Sequence, residues 1–363
     1  MKLPRREFLR VAAAAAALPA AAVRASAQSY PTRPVRLILG FPAGGSTDLV
    51  ARIMAAWLTE RLGQSVVVEN KPGGGTNLAA QAAINSPPDG YTLLFVTTTN
   101  AINATFYPTL PFNVLRDVAP VAGLVDLPFV MEVNPSVPAA TVAEFIAHAK
   151  SNPGKINTAS FGTGTISHLA WELFKLMTGV DTVHVPYHGG APMVTDLIGG
   201  RVEAGIDALP NSLPHIRSGT LRALAVTGPA RSAAVPDVPT VGETVPGYEV
   251  SGWTGIGVPA GTPAAIVATL NREINAGLAD ARIAARLAEV GGRAADPRHA
   301  RSIRPALAAR HRQVGEGGEV RRREAGVDWK PRSPLALKAD NREVARRSPH
   351  LGRGISDPRA ECS

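Results

Sequence analysis

The stretch Val35–Asp48, VRLILGFPAGGSTD, constrains the fold more than any other part of the chain. A buried strand, Val35–Leu39, runs into a glycine-rich turn, and Ser46, Thr47 and Asp48 then open an apolar helix. Such a strand–turn–helix belongs to α/β sheets. It aims unpaired backbone N–H groups and the positive end of a helix dipole at one point in space. A small anion is the natural occupant. A related layout recurs at Thr158–His168, TASFGTGTISH. The residues leave two readings open: ordinary tight strand–helix turns, or two cradles on two lobes facing one anion.

In the first loop, Gly44 and Gly45 let N–H groups converge with no Cβ in the way, Ser46 and Thr47 add hydroxyl donors, and Asp48 is placed to cap the helix. A phosphate loop is excluded, because GFPAGG is not GxGxxG and no Gly-Lys-Ser/Thr follows. Without that lysine nothing pairs a terminal phosphate, so a carboxylate fits better. In the second loop Gly162, Thr163, Gly164, Thr165 and Ser167 form the counterpart. His168, on the first helical turn, reads as a capping or packing histidine or as a ligand contact. Asp207, at a strand end, reads either as a turn aspartate or as a group that selects ligands by repulsion.

Strands and helices alternate through the middle of the chain. Strands are expected at Val35–Leu39, Ser65–Glu69 and Tyr91–Val96, the last ending in a polar loop, Thr97-Thr98-Thr99-Asn100. Leu49–Leu62 has helical spacing, with Leu49, Ile53, Ala56 and Trp57 on one face, and Gly73–Asn77 starts another helix. A second unit begins near Phe129. Its expected strands are Phe129–Asn134, Asn157–Phe161, Thr182–Pro186, Ala204–Ile206 and Leu221–Val226, with helices at Thr141–Ser151, Leu169–Thr178 and Ala191–Ile198. A Pro-rich connection, Pro236–Pro246, leads to a return strand at Trp253–Val258 and helices at Pro263–Ala276 and Ala281–Glu289.

The formal net charge of +9 invites a nucleic-acid reading. Its distribution removes it. Of 38 basic and 29 acidic residues, 293–363 holds 17 and 9, and 1–27 holds 5 and 1, which leaves 16 and 19 between them. Residues 1–27 read as a leader: a twin-arginine pattern at Arg5-Arg6, an apolar run Val11–Val23, and Ala25-Ser26-Ala27 at signal-peptidase spacing. The run falls short of the roughly 20 residues that span a bilayer. A cleaved signal with export to a bacterial periplasm is expected, by the twin-arginine or the general secretory route. Residues 293–363 lose hydrophobic periodicity and read as a disordered basic tail. They hold the single cysteine, Cys362, so no intramolecular disulfide is expected.

Other constellations are weak. His184 and His188 have i,i+4 spacing, but Pro186 between them opposes a helix, so no metal is expected there. No GxSxG, CxxC or HExxH occurs, and no nucleophile–base pair stands out. Trp57, Trp171 and Trp253 read as core or hinge packing. No cofactor is expected.

The motifs RLILGFPAGGSTDLVAR, VVVENKPGGGTN, PPDGYTLL, GTGTISHLAWELFK, VPYHGGAPMVTDLIGGRVEAGIDALPNSLPHIRSGTLRALAVT and GYEVSGWTGIGVPAGTP closely resemble the Bug-type substrate-binding proteins, the extracytoplasmic receptors of tripartite tricarboxylate transporters. The resemblance spans Tyr30 to Gly292. It implies an α/β, two-lobed periplasmic binding protein of the Venus-flytrap kind, type II-like, with a mixed sheet flanked by helices in each lobe. Residues 28–128 plus 252–292 would form lobe 1 and residues 129–251 lobe 2, with hinges near Pro128 and Ser251. It further implies a small carboxylate held between the lobes by N–H groups, hydroxyls and waters. The candidate ligand-binding set is then Phe41, Pro42, Ala43, Gly44, Gly45, Ser46, Thr47, Asp48, Thr98, Asn100, Gly162, Thr163, Gly164, Thr165, Ser167, His168, Tyr187, Gly190 and Asp207. Asp207 matches a family position that orients a ligand amine or a water. The implied partners are a dicarboxylate, tricarboxylate, acidic amino acid or aromatic acid, and membrane transporter subunits. No nucleic acid is expected, and the receptor would be a monomer. A ligand sensor for a membrane signalling partner and a periplasmic α/β enzyme are the other classes the same cleft would serve.

In the family a C-terminal helix packs back on lobe 1, and here a different sequence stands in its place. Codons compatible with Gly292–Arg304, read one nucleotide later, can spell AGPLTPGTPEAFG, and those compatible with His311–Gly326 can spell IDKWAKVVKFAGVKP, an amphipathic, helix-like ending, so the tail is read as a frameshift product. Restoring that frame is expected to raise the melting temperature, and an unchanged value would count against this reading.

Overall fold

A computed structural model describes residues 30–107 and 109–289, together with the backbone of 293–294. The leader expected over 1–27, the tail from 295 onward and Cys362 lie outside the described residues, as does the frameshift idea that concerns them.

The first sheet is built from β1 (Val35–Leu39), β2 (Val66–Asn70), β3 (Thr92–Thr97), β4 (Val118–Leu127), β10 (Gly252–Pro259) and β11 (Arg293–Ala294), in the order β11-β4-β10-β3-β1-β2. The second holds β5 (Phe129–Val133), β6 (Asn157–Ser160), β7 (Val183–Pro186), β8 (Ala204–Ala208) and β9 (Arg222–Val226), in the order β7-β6-β8-β5-β9. Both are mixed. In each, a parallel trio (β2-β1-β3 or β7-β6-β8) is followed by an antiparallel strand, β10 or β5. The trios share one winding, with the first strand of each trio, β1 or β6, central, so both sheets turn their parallel carboxyl ends into a helix start. Open α/β sheets bind ligands at that edge.

Helices α1 (Ser46–Leu62), α2 (Asn77–Ile84), α3 (Thr98–Phe106) and α4 (Val114–Asp117) lie with the first sheet's early strands. Helices α5 (Val142–Ser151), α6 (Ile166–Thr178), α7 (Gly190–Ile198), α8 (Leu209–Arg217) and α9 (Val241–Thr244) follow in the second unit, and α10 (Ala264–Ala279) and α11 (Ala281–Glu289) return to the first. None of the described helices is long and apolar enough to cross a membrane. Helix α1 shows how the sequence sets one element. Val50, Met54, Trp57 and Leu58 recur at helical spacing and are buried, and Gly63 in the left-handed region stops the helix. The expected face is out of phase at two positions: Leu49 and Ala56 are exposed. Trp57 sets the phase, because its indole N–H donates to the Glu273 carbonyl of α10 at 2.8 Å, drawing that side of α1 inward.

Three elements go beyond the periodic pattern. The polar loop expected at Thr97–Asn100 is instead the start of α3. Thr97 accepts from the helix's third residue while the Asn100 amide oxygen accepts the Thr97 N–H at 2.8 Å, a reciprocal cap. Helix α8 carries Pro214 inside it and too few apolar residues to announce itself. Helix α9 interrupts the Pro-rich connection because Thr240 and Glu243 cap each other. At the start of the tail, Arg293 and Ala294 pair with Asp126 and Val125 of β4.

The two sheets are joined where Leu127-Pro128-Phe129 runs from β4 into β5, and again where the chain reaches Gly252 beside Leu127. Thr227 ties the strands at this crossing: its N–H donates to the Phe129 carbonyl (3.0 Å) and its hydroxyl to that of Val250 (2.6 Å). Glycine is required at 252, since a Cβ there would lie 2.4 Å from Phe129 Cε2. Gly252→Ala is therefore expected to destabilise the protein by about 1–3 kcal/mol through overpacking, read as a lower denaturant midpoint with unchanged slope.

Candidate functional site

A cavity lies between the two sheets, and it is where five helices begin. Gly45, Ser46 and Thr47 bring in the start of α1, Thr97, Thr98 and Thr99 that of α3, and Ile166 that of α6. Gly190 and Ala191 bring in the start of α7, and Ala208 and Asn211 that of α8. The N-cap positions of α1, α7 and α8 are Gly45, Gly189 and Ala208, and none supplies a capping side chain. Their first-turn N–H groups need other acceptors. That of Ser46 donates to Asn211 and that of Leu209 to the Pro128 carbonyl, while Pro192 and Pro210 carry none. Thr47, Gly190 and Ala191 stand at helix starts in the cavity wall, the position from which N–H groups hold an anion. Phe41, Leu127, Phe129, Phe161 and Trp253 supply apolar wall. Among the described residues lining the cavity no Lys, Arg or His appears, and Asp207 is the single ionisable one.

The first glycine loop is held from behind. Asp48 does not cap α1. Its carboxylate accepts the Gly44 N–H at 3.0 Å, Arg52 at 2.8 Å and the Asn70 amide at 2.9 Å. Burial pulls Asp48 upward, but Arg52, the Gly44 N–H and Asn70 together hold it below the usual carboxylate range. The same Asn70 amide donates to the Phe41 carbonyl at 3.0 Å. Gly44 and Asp48 therefore shape the loop, while Phe41, Pro42, Ala43, Gly45, Ser46 and Thr47 face the cavity.

Asn211 spans the gap. Its amide oxygen accepts the Ser46 N–H across the cavity at 2.7 Å, and its amide nitrogen donates to both Asp207 oxygens at 3.2 and 3.1 Å. Because the oxygen must face an N–H, the nitrogen must face Asp207, so this network fixes the amide's orientation. Gly190 packs on the same pair: a Cβ there would stand 2.4 Å from the Asn211 nitrogen and 3.0 Å from Asp207. Asp207 is fully buried, and burial pushes its carboxyl up to about 7 against the opposing help of the Ala208 N–H and Asn211.

The second glycine loop has a different place from the one expected. Phe161 and Ile166, at its two ends, line the cavity, whereas Gly162, Thr163, Gly164, Thr165, Ser167 and His168 are outside the lining. Their polar groups are spent on the loop and its neighbours. Thr165 caps α6 and donates to the Gly162 carbonyl at 2.6 Å, Ser167 donates to the Ile206 carbonyl, and the Gly164 N–H donates to His168 Nδ1 at 3.3 Å. The loop meets the opposite lobe directly. A Cβ on Gly164, whose φ is +77°, would press on the Phe106 and Tyr107 rings, and Phe41 meets Phe161 edge-on at 5.8 Å. Asn100 is likewise turned inward as the α3 cap, and the Tyr187 hydroxyl donates to Asp196 at 2.9 Å. Thr98 lines the cavity while clamping the Trp253 backbone, whose N–H it accepts at 2.9 Å. Trp57 and Trp171 are core residues. Trp253 both packs on the first sheet and lines the cavity.

Sequence reasoning missed Thr97, Thr99, Phe129, Asn211 and Trp253 as lining. Asn211 had a signal, since it falls one helical turn after Asp207 at a helix start. Phe129 and Trp253 had none, because the chain crossing puts them there. His184 stacks on His168 at 4.2 Å and its Nε2 lies 2.7 Å from the Ser160 hydroxyl. No cluster of three metal-ligating side chains occurs among the described residues.

A two-lobed α/β frame with a helix-lined cavity between its sheets defines a solute-binding protein. A family profile described as tripartite tricarboxylate transporter family receptor matches residues 50–301. The chain belongs to this receptor family. Protein BugT of Bordetella pertussis is 42% identical over 256 residues, covering 70% of this chain and 78% of that one. A solved structure of R. palustris Rpa4515 with adipate is 38% identical with a TM-score of 0.75, over 79% of this chain and 97% of that chain. MatC from Rhodopseudomonas palustris with bound malate is 30% identical with a TM-score of 0.76, over 79% and 99%.

Burial, then the charge of His168, pushes His184 down to about 4. An unfolded histidine protonates near 6.5, so its contribution to stability is present above that pH and is lost as pH falls toward 4. His184→Gln is expected to make the melting temperature fall less steeply between pH 6.5 and 4.

Proposed function

We propose that this protein is an extracytoplasmic receptor that captures a small carboxylate between its lobes and delivers it to the membrane subunits of a tripartite tricarboxylate-type transporter. The observation that carries the reading is the convergence of five helix starts, three without a capping side chain, on a cavity that no cationic side chain among the described residues lines. A carboxylate is stabilised there by fixed N–H dipoles and by the hydroxyls of Ser46, Thr47 and Thr99. Charge-assisted bonds in a water-poor cavity are stronger than neutral ones. Opening and closing pivot where the chain crosses at Pro128 and Ser251, and the closed form is latched by the bond from Ser46 to Asn211. Relatives that hold adipate and malate support the same ligand class. The protein acts as a monomer without turnover of its ligand. The leader exports it to the periplasm, with cleavage near Ala27.

The test is a thermal-shift screen of dicarboxylates, tricarboxylates, acidic amino acids and aromatic acids, followed by calorimetry on any acid that stabilises the protein. At least one is expected to bind without being consumed. Thr47→Val and Asn211→Ala should each weaken that binding roughly five- to tenfold, as loss of one polar contact does. An affinity that neither variant changes would remove the cavity from the mechanism. Turnover of the acid would assign the cleft to an enzyme.

A further inference from the structure

Glu132 has no part in the carrier reading, and its position is costly. It lies on β5 opposite Gly205 of β8, two residues beyond Val130, which pairs with Asp207. The side chain is wholly buried. One carboxyl oxygen accepts the Ser212 hydroxyl at 2.7 Å, and the other has no partner. A charge so placed would be a bare ion in the protein interior, which a carboxyl avoids by staying protonated.

The surrounding ionisable groups are committed elsewhere. On β9, Arg222 donates to the carbonyls of Val137 and Ala139, and Glu203, just before β8, accepts the Asn157 N–H. On α7, Asp196 is held by Tyr187 and Arg201. On α6, His168 stacks on His184 and Glu172 pairs with Lys175. His215 and Arg217 stand in the last turn of α8, away from its start at Leu209, which follows Asp207 of β8. Across the cavity, Arg52 is bound to Asp48. Burial, and then the charge of Asp207, drive Glu132 well above its ordinary range.

We propose that Glu132 and Asp207 form a buried acid pair that keeps at least one proton at neutral pH, and that the cavity takes up an anion together with a proton. Asp207 is the member that lines the cavity. Ionised, it repels an entering carboxylate. With one proton taken from solvent, its O–H donates to that carboxylate, so a proton does the work of the missing Lys or Arg. Glu132 remains neutral behind it and adds no second negative charge. Coupling appears above about pH 7, where the empty site would otherwise lose the Asp207 proton. The inference rests on the anion reading of the cavity, and its test separates the two.

The first measurement uses the full chain without ligand. Both carboxyls titrate higher in the folded than in the unfolded state. Their contribution to stability is therefore complete below about pH 4 and is lost as pH rises toward the folded values. Glu132→Gln and Asp207→Asn abolish that loss, so their melting temperatures should gain on wild type steadily from pH 5 to pH 8. Curves that run parallel, as a merely structural effect would give, overturn the pair. The second measurement needs only wild type: calorimetry with adipate at pH 8 in phosphate and in Tris, which differ in ionisation enthalpy. The expected result is uptake approaching one proton per adipate, with affinity falling about tenfold per pH unit above 7. Binding with no uptake and no pH dependence overturns the proposal. Failure of adipate to bind counts against the carboxylate reading, and the melting curves then decide the pair.

Discussion

An anion without a neighbouring cation is stable inside a protein where fixed neutral donors, backbone N–H groups foremost, converge on it, and that requirement organises this molecule. Each sheet sends the carboxyl ends of a parallel trio into helix starts, and the two sheets bring those starts to one cavity. Every helix start there follows a strand or a short loop, so the donors are fixed by backbone rather than by mobile side chains. The arrangement needs no ordering of long charged chains when ligand enters. It also leaves selectivity to whatever small groups stand beside the N–H array.

The two glycine loops share a layout but divide the labour. The first lines the cavity with Phe41–Ala43 and Gly45–Thr47, and Asp48, Asn70 and Arg52 brace it from outside. The second spends its own polar groups internally and uses its glycines for close approach to Phe106 and Tyr107 of the other lobe. One loop receives and the other seals. Asn211 links the two tasks, since the same amide joins the α1 start to Asp207 across the closed cleft.

Much of the frame was legible in the sequence. Alternating strands and helices, the glycine turns and the family motifs pointed to a two-lobed receptor. Two elements were misjudged for different reasons: α3 rests on a local reciprocal Thr97–Asn100 cap whose polar residues read equally as a loop, and α8 carries an internal proline that only packing tolerates. The cavity was half legible. Phe41–Ala43, Gly45–Thr47, Thr98, Gly190 and Asp207 stand in its wall, whereas Gly44 and Asp48 shape the loop from behind and Thr165, Ser167 and His168 lie outside the lining, because a polar side chain at a helix start serves as readily for capping as for ligand.

By itself the sequence determined that two glycine-rich turns each end a strand and open a helix, at Val35–Asp48 and Thr158–His168, and that no lysine follows the first of them. Only the tertiary structure decided which of those starts share a cavity, because that depends on two sheets closing over each other at the Leu127–Phe129 and Gly252 crossing. It alone decided that Glu132 and Asp207, far apart in the chain, would be neighbours. Adjacent antiparallel strands place them there, and no periodicity along a single chain encodes that register.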